Sequence, residues 1–107
     1  MRLSAVQKDV IFVLFDLVER KGITGAVSAM RLLSMINYGR CQLVADTNFR
    51  RSCHTLVQHG FLEKYRDRQS LKLAFRLSPM GKENAAIHYA SRLEKLKSNK
   101  IDEQEGN

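Results

Sequence analysis

The chain has 107 residues, of which 44% are hydrophobic and 27% charged, and it carries a net charge of +7. This length suits one domain with its own core, and a composition with a single proline excludes a mostly disordered chain. The basic balance predicts an acidic partner, and nucleic acid is the commonest partner of that kind.

The first predicted element is a helix from about Ser4 to Lys21. Ser4 with Gln7 three residues later forms a capping-box pattern, and Gly22 suits the left-handed position that ends a helix. One apolar stripe of this helix should face the core. The apolar surface extends beyond that stripe, at Ile11, Phe12 and Phe15. We therefore expect a second subunit to cover this helix.

Two more helices are predicted in the middle of the chain. The segment Ile23–Val27 favours an extended conformation, and Ser28–Asn37 has apolar residues at helical spacing. Asp46 or Thr47 is the expected N-cap of a third helix, Thr47–His59, which Gly60 ends. The residues between these two helices, 40–45, have no assigned structure.

A β-hairpin is predicted after the third helix, because the periodicity changes there. Apolar and polar residues alternate over Leu71–Leu77, as in a half-buried strand, and Leu62–Arg66 is its expected antiparallel partner. Ser78 and Pro79 then form an N-cap followed by proline at the first helical position. They predict a fourth helix that ends near Ser98, followed by an acidic, disordered tail over residues 99–107.

Positive charge is concentrated in the middle of the chain. Residues 31–82 contain ten Lys or Arg against three acids, a net charge of +7, whereas the remaining residues are neutral overall. The longest apolar run, residues 10–15, is too short for a membrane span or a signal peptide. We therefore expect a cytoplasmic protein that binds no membrane.

The chain resembles winged helix-turn-helix DNA-binding domains in the order of its elements: three helices, a hairpin and a further helix. Residues 47–62 resemble the recognition-helix pattern of that family, at Thr47, Phe49, Arg51, Leu56, Gly60, Phe61 and Leu62. Residues 75–83 resemble the strand-to-helix junction of MarR-type and PadR-type transcriptional regulators. The resemblance implies a mainly α fold with a three-helix core and a two-stranded wing, in a single domain over residues 1–98.

The exposed face of the third helix and the hairpin carry the candidate DNA-binding residues. They are Thr47, Asn48, Arg50, Arg51, His54 and Gln58 on the helix, and Arg66, Arg68 and Lys72 on the hairpin. A helix in the major groove can present Arg to guanine and Asn or Gln to adenine, and Arg51 is alternatively a phosphate clamp. A basic wing can contact phosphates or a narrow minor groove. The alternatives are a solvated charged face and charges that protect an edge strand from pairing.

The cysteines and the other nucleophiles do not form a recognisable site. Cys53 is predicted to be a core residue and Cys41 an exposed thiol, and their spacing matches no disulfide framework or zinc motif. Ser52, Cys53 and His54 are consecutive on a helix and point in different directions, so they cannot act together as nucleophile and base. We expect neither enzymatic activity nor a metal or other cofactor.

The sequence thus predicts a homodimeric transcriptional repressor that acts by occupying its operator on double-stranded DNA. The expected dimer interface combines the first helix with the apolar stripe of the last, at Ala86, Tyr89, Ala90, Leu93 and Leu96. Two alternatives remain open: a replication or partition factor of a mobile element, and a winged-helix module that binds an acidic protein. No small-molecule ligand is indicated.

Overall fold

The computed structural model describes the backbone of residues 2–105 and the side chains of residues 2–92 and 94. Its elements are α1 (Ala5–Lys21), β1 (Val27–Ser28), α2 (Ala29–Asn37), α3 (Asp46–Gln58), β2 (Leu62–Arg66), β3 (Leu73–Leu77) and α4 (Pro79–Glu105). The predicted order of helices and hairpin is confirmed. The winged-helix fold class is also confirmed, since a mainly helical chain carries a small antiparallel sheet.

Helix α1 begins and ends at the predicted signals. Its N-terminus has the complete capping box, with the Gln7 amide donating to the Ser4 hydroxyl and the Ser4 amide donating to the Gln7 side chain. Gly22 terminates the helix at φ 66°, a left-handed conformation that costs glycine little because it has no Cβ. Local chemistry therefore fixes both ends of this helix.

The sheet has three strands in the order β1-β3-β2, all antiparallel. Strand β3 lies in the middle, where Phe75 is opposite Val27 on one side and Lys64 on the other. The extended segment before α2 therefore adds a short third strand to the predicted two-stranded wing. Strand β3 begins at Leu73 rather than Leu71, because Leu71 is in the left-handed conformation at φ 58° and belongs to the turn.

One hydrophobic core joins the three N-terminal helices to the sheet. Its fully buried members come from each of these elements: Val10, Leu32, Phe49, Cys53, Leu56 and Phe75. Helix α3 contributes one side to this core and leaves the other at the surface. The orientation of α3 is therefore fixed by buried apolar contacts, which are the main source of stability in a domain of this size.

Two of the surplus apolar residues of α1, Ile11 and Phe15, are buried within the chain itself, and Phe12 is half-buried, so α1 leaves less free apolar surface than the sequence suggested. Ile11 is 2% exposed and Phe15 is 9% exposed. The Tyr89 ring of α4 stacks on Phe12 at 5.0 Å between centroids and meets Phe15 edge-on at 5.1 Å. The apolar surface of α1 extends over more than one face because α4 packs on a second side of this helix.

Helix α4 starts at the predicted junction and extends beyond the predicted end. The Ser78 hydroxyl accepts a hydrogen bond from the Gly81 amide at 2.9 Å, as an N-cap does. Gly81 allows a close approach, since a Cβ there would lie 2.1 Å from the carbonyl oxygen of Phe61. The helix continues to Glu105 rather than ending near Ser98, because residues 93–105 contain good helix formers and no Gly or Pro.

The predicted apolar stripe of α4 and the predicted tail lie partly outside the described residues. For the stripe these are the side chains of Leu93 and Leu96, and for the tail they are residues 106–107. Within the described part of the stripe, Ala86 and Ala90 are exposed and Tyr89 is half-buried. The limits of the domain stay a prediction.

Candidate nucleic-acid interface

Helix α3 is positioned by the link that precedes it. The Asn37 side chain donates to the Val44 carbonyl at 3.2 Å and accepts from the Val44 amide at 2.8 Å, and Val44 is itself buried. Ala45 is consequently the N-cap, and it makes no side-chain cap bond. The expectation that Asp46 or Thr47 caps α3 is wrong, because the anchored link starts the helix one residue earlier.

The buried side of α3 holds the helix against the core. Phe49, Cys53 and Leu56 are fully buried, and Ser52 is nearly so. Burial raises the pKa of the Cys53 thiol to about 12, so this thiol is neutral at ordinary pH. The prediction of Cys53 as a core residue is confirmed, and Cys41 is exposed as expected.

The opposite side of α3 presents a polar stripe. Its members follow helical spacing and are all exposed: Thr47, Arg51, His54 and Gln58. Residues three and four apart lie on one face of a helix, so these side chains form a single line along the surface. Asn48 and Arg50 are also exposed, but they lie on the two flanks of this line.

One acidic residue lies on this surface of α3, although the sequence predicted none. The helix includes Asp46, and its Oδ2 atom is 3.0 Å from Nε of Arg50 in the next turn. An acid four residues before a base is the favourable orientation, worth about 0.3–0.5 kcal/mol on an exposed helix. The Asp-x-x-x-Arg spacing is the signal that would have revealed this pair.

The tip of the wing is a tight polar turn. Asp67 accepts hydrogen bonds from the amides of Gln69 at 2.7 Å and Ser70 at 3.2 Å, and its own amide donates to the Lys72 carbonyl. These bonds to the Gln69 and Ser70 amides hold the pKa of Asp67 below its usual value. The turn leaves the three predicted wing residues exposed, namely Arg66, Arg68 and Lys72.

A groove of about 300 Å³ lies between α3 and the wing. Arg50 lines it from α3, and Arg66 and Lys72 line it from the wing. The N-terminal residues of α2 form its end, with Met30 strongly exposed. No acidic residue is among the described side chains that line this groove. Three of the nine predicted residues are therefore brought together at one place, and sequence reasoning did not anticipate the part played by α2.

The other face of the hairpin has its own ion pair. Nε and Nη2 of Arg76 lie 3.0 and 2.8 Å from the same carboxylate oxygen of Glu63, and the guanidinium lies over the Tyr65 ring. These hydrogen bonds from Arg76 hold the pKa of Glu63 below its usual value. Arg76 is thus paired with an acid within the sheet, and it does not line the groove.

Among the described residues, no group of three or more His, Cys, Asp or Glu side chains is arranged to hold a metal ion. Among residues 2–105, none of the helices combines the length and apolar character that crossing a bilayer requires.

Solved structures resemble this chain closely in fold, although no family model and no curated protein sequence matches it. The adhesin competence repressor AdcR of Streptococcus pyogenes superposes with a TM-score of 0.76 at 16% identity, over 97% of this chain and 68% of that one. ZitR of Lactococcus lactis, a zinc-responsive MarR family member, gives 0.70 at 11% identity, over 94% and 61%.

A third structure has nearly the same length as this chain. The F-93 protein of SSV1 superposes with a TM-score of 0.63 at 18% identity, over 92% of this chain and 96% of that one. The chain spans about two thirds of the length of AdcR and ZitR, so its likeness to them concerns that portion. On its helices, its wing and these superpositions, the chain has the winged helix-turn-helix fold, in the form also found in MarR-family regulators.

Proposed function

We propose that this protein binds double-stranded DNA, with α3 in the major groove and the wing beside it. The observation that carries the proposal is that an exposed polar stripe on α3 lies beside a groove lined by three cations. Exposed cations near a helix that can enter the major groove are the electrostatic footprint of a DNA-binding surface. The solved neighbours support this use of the fold, since AdcR is described as a repressor.

The stripe supplies the chemistry for reading bases. Arg51 can donate two hydrogen bonds to guanine O6 and N7, and Gln58 can pair with the N6 and N7 atoms of adenine. Thr47, in the first turn, suits a phosphate oxygen because the amides of a helix N-terminus and its dipole favour anions. His54 lies between Arg51 and Gln58 on the same line and extends the contact.

The wing residues bind the DNA backbone in this proposal. Arg66, Arg68 and Lys72 are exposed on the hairpin and its turn. Phosphate contacts fix the register of a protein on the duplex without reading sequence. Loss of one such residue should therefore weaken binding to all sequences alike.

We further propose that the protein is a homodimeric regulator that represses by occupying its operator. A dimer would place two α3 helices in successive major grooves, one helical turn apart. The exposed surface of α4 offers an interface, since Ile87 is 72% exposed and Ala86 and Ala90 are exposed beside it. The dimer would then form mainly through α4, because Ile11 and Phe15 of α1 are already buried.

Selection of bound sequences from a random duplex library tests DNA binding, and light scattering tests the dimer. We expect one enriched, pseudo-palindromic motif and a dimer at micromolar concentration that Ile87→Glu dissociates. The Lys21→Ala variant, which removes an exposed cation at the end of α1, is the matched control and should enrich the same motif. Enrichment of no sequence, together with capture of an acidic protein, would replace DNA by a protein partner.

A further inference from the structure

We propose that the groove between α3 and the wing holds one backbone phosphate of DNA, and that this phosphate displaces the Asp46 carboxylate from Arg50. The inference rests on the DNA binding proposed above. It assigns Arg50 to the DNA backbone rather than to a base, and it gives Asp46 the role of an internal competing anion.

The groove has the charge and the donors that a phosphate requires. Arg50, Arg66 and Lys72 converge on it from two elements, and the described side chains that line it include no acid. Like charges around one groove of about 300 Å³ repel each other, so an anion in the groove is favoured. Two guanidinium groups and an ammonium group can together donate to several oxygens of one phosphate.

The Asp46 carboxylate shows where an anion already contacts this cluster. Its Oδ2 atom is 3.0 Å from Nε of Arg50, and the two side chains are 62% and 58% exposed. The other acids of the basic region have different partners, since Glu63 pairs with Arg76 and Asp67 accepts the turn amides. Lys72 of the groove also attracts Asp67, but Asp46 is the acid of that region that forms an ion pair with Arg50.

Helix geometry separates Arg50 from the residues that can read bases. Arg51 lies on the line formed by Thr47, His54 and Gln58. Arg50 is rotated by about 100° around the helix axis from Arg51. That rotation turns Arg50 to the flank where the groove lies, as its place in the groove lining confirms. Neighbouring arginines on α3 therefore serve different parts of the DNA, with Arg51 at the bases and Arg50 at the backbone.

The exchange has a defined thermodynamic consequence. When a phosphate takes the place of Asp46, the freed carboxylate faces the incoming negative charge and also attracts a cation from solution. Every duplex offers the same phosphate, so the penalty is independent of sequence. The cation taken up by Asp46 reduces the net number of ions released on binding, which makes affinity less sensitive to salt.

The test compares Asp46→Asn, Arg50→Ala and the double variant with wild type. Each is titrated against the selected site and against a random duplex at several salt concentrations. We expect Asp46→Asn to raise affinity about threefold to tenfold for both duplexes and to steepen the log-log salt slope by about 1. In the Arg50→Ala background the gain should shrink below about twofold, because the exchange acts through Arg50.

Two further variants control for charge and for folding. Glu19→Gln removes the same charge from the exposed end of α1 and should change affinity by less than about twofold. Asp46→Ser removes the carboxylate with a different side chain and should reproduce Asp46→Asn. Melting curves of all variants establish that the compared proteins are folded.

Several results would overturn the proposal. Unchanged or lower affinity of Asp46→Asn would mean that Asp46 only stabilises the first turn of α3. An altered base preference would mean that Asp46 reads a base, and a full gain in the Arg50→Ala background would mean that it acts on DNA directly. Failure of the wild type to bind any duplex in a salt-dependent way would instead remove the proposed function itself.

Discussion

Two clusters of cationic side chains differ in what surrounds them. In the first, Asp9 of α1 accepts hydrogen bonds from Arg40 of the α2–α3 link and from Arg92 of α4, at 3.2 Å for Arg92. In the second, Arg50 pairs with an exposed Asp46, and Arg66 and Lys72 line the same groove as Arg50. A half-buried acid makes the first cluster structural, whereas the second remains accessible to an external anion.

This difference shows why a count of charges overestimates the binding surface. Residues 31–82 contain ten basic residues, but Arg40 is paired with Asp9 and Arg76 with Glu63. Such pairs connect elements of the fold. The cations that can neutralise phosphates are those of the α3 surface and the wing, which amounts to about 5 phosphate contacts per protomer.

The two clusters should differ most in how salt affects them: salt should weaken DNA binding at the groove and leave the stability contributed by the Asp9 cluster nearly unchanged. With about 5 phosphates per protomer, counterion release gives a log-log slope of DNA affinity against salt of roughly −4 to −5, and the cation taken up by Asp46 reduces its size by about 1. Affinity should therefore fall about 100-fold between 50 and 200 mM. The melting temperature should change little over that range, because the partly buried Asp9 cluster is less screened. Titrations and melts in one salt series measure both, and an affinity that ignores salt would contradict the comparison.

Truncation of Arg51 should have the next largest effect on DNA binding. Arg51→Ala is expected to cost about 1–3 kcal/mol on the preferred site and to reduce discrimination against altered sites, as loss of a bidentate base contact does. Stability should change by less than about 0.5 kcal/mol, because the side chain is exposed. Binding to the selected site and to single-base variants of it tests this, with Lys21→Ala as the control.

Removal of Asp9 should have the opposite pattern, with a loss of stability and little change in DNA affinity. Asp9→Asn leaves Arg40 and Arg92 without their shared carboxylate, and hydrogen bonds to charged groups of this kind contribute about 1–2 kcal/mol to folding when partly buried. Denaturant unfolding measures the loss, and Glu19→Gln is the matched control. DNA affinity measured where the variant is fully folded should stay within about threefold of wild type, because Asp9 is not part of the groove. A larger loss of affinity than of stability would assign Asp9 to the DNA surface.

The same contrast explains how far the sequence alone could predict this molecule. The capping box at Ser4, the left-handed Gly22 and the alternation in β3 are local signals, and the structure confirms each of them. The packing of Tyr89 on Phe12 and the bond between Arg92 and Asp9 join residues far apart in the chain. Periodicity along the chain does not report such contacts, so the sequence does not reveal that α4 covers part of the apolar surface of α1.

At the candidate site, the sequence predicted the residues better than their arrangement. All nine predicted side chains are exposed, but their contacts with DNA stay predictions. The start of α3 at Asp46 depends on hydrogen bonds between Asn37, the last residue of α2, and Val44, which lies seven residues later in the link that the sequence left unassigned. That one-residue shift brought an acid into the helix, where Asp46 pairs with Arg50.

Truncation at the wing tip should have a smaller, uniform effect. Arg68→Ala is expected to weaken binding to all duplexes about equally and to make the salt slope shallower by about 1, since a backbone contact carries no sequence information. Comparison of the selected and the random duplex distinguishes this from the loss of discrimination expected for Arg51→Ala. A change in the preferred sequence would place Arg68 at a base edge instead.

The smallest effect concerns the shape of the wing under acid. The amides of Gln69 and Ser70 bind the ionised Asp67 carboxylate and hold its pKa below the usual 3.8. A depressed pKa in the folded state means that the carboxylate stabilises the turn at pH values above 3.8, and that this contribution is lost as the pH falls through the lower, folded value. The protection factors of the wing amides, which compare exchange with its intrinsic rate at the same pH, should therefore fall in acid before those of the α1 core do. Asp67→Asn, which cannot ionise, should show lower wing protection factors already at neutral pH and no further loss from this group in acid. If exchange at Gln69 and Ser70 is unchanged in that variant, the carboxylate does not hold the turn.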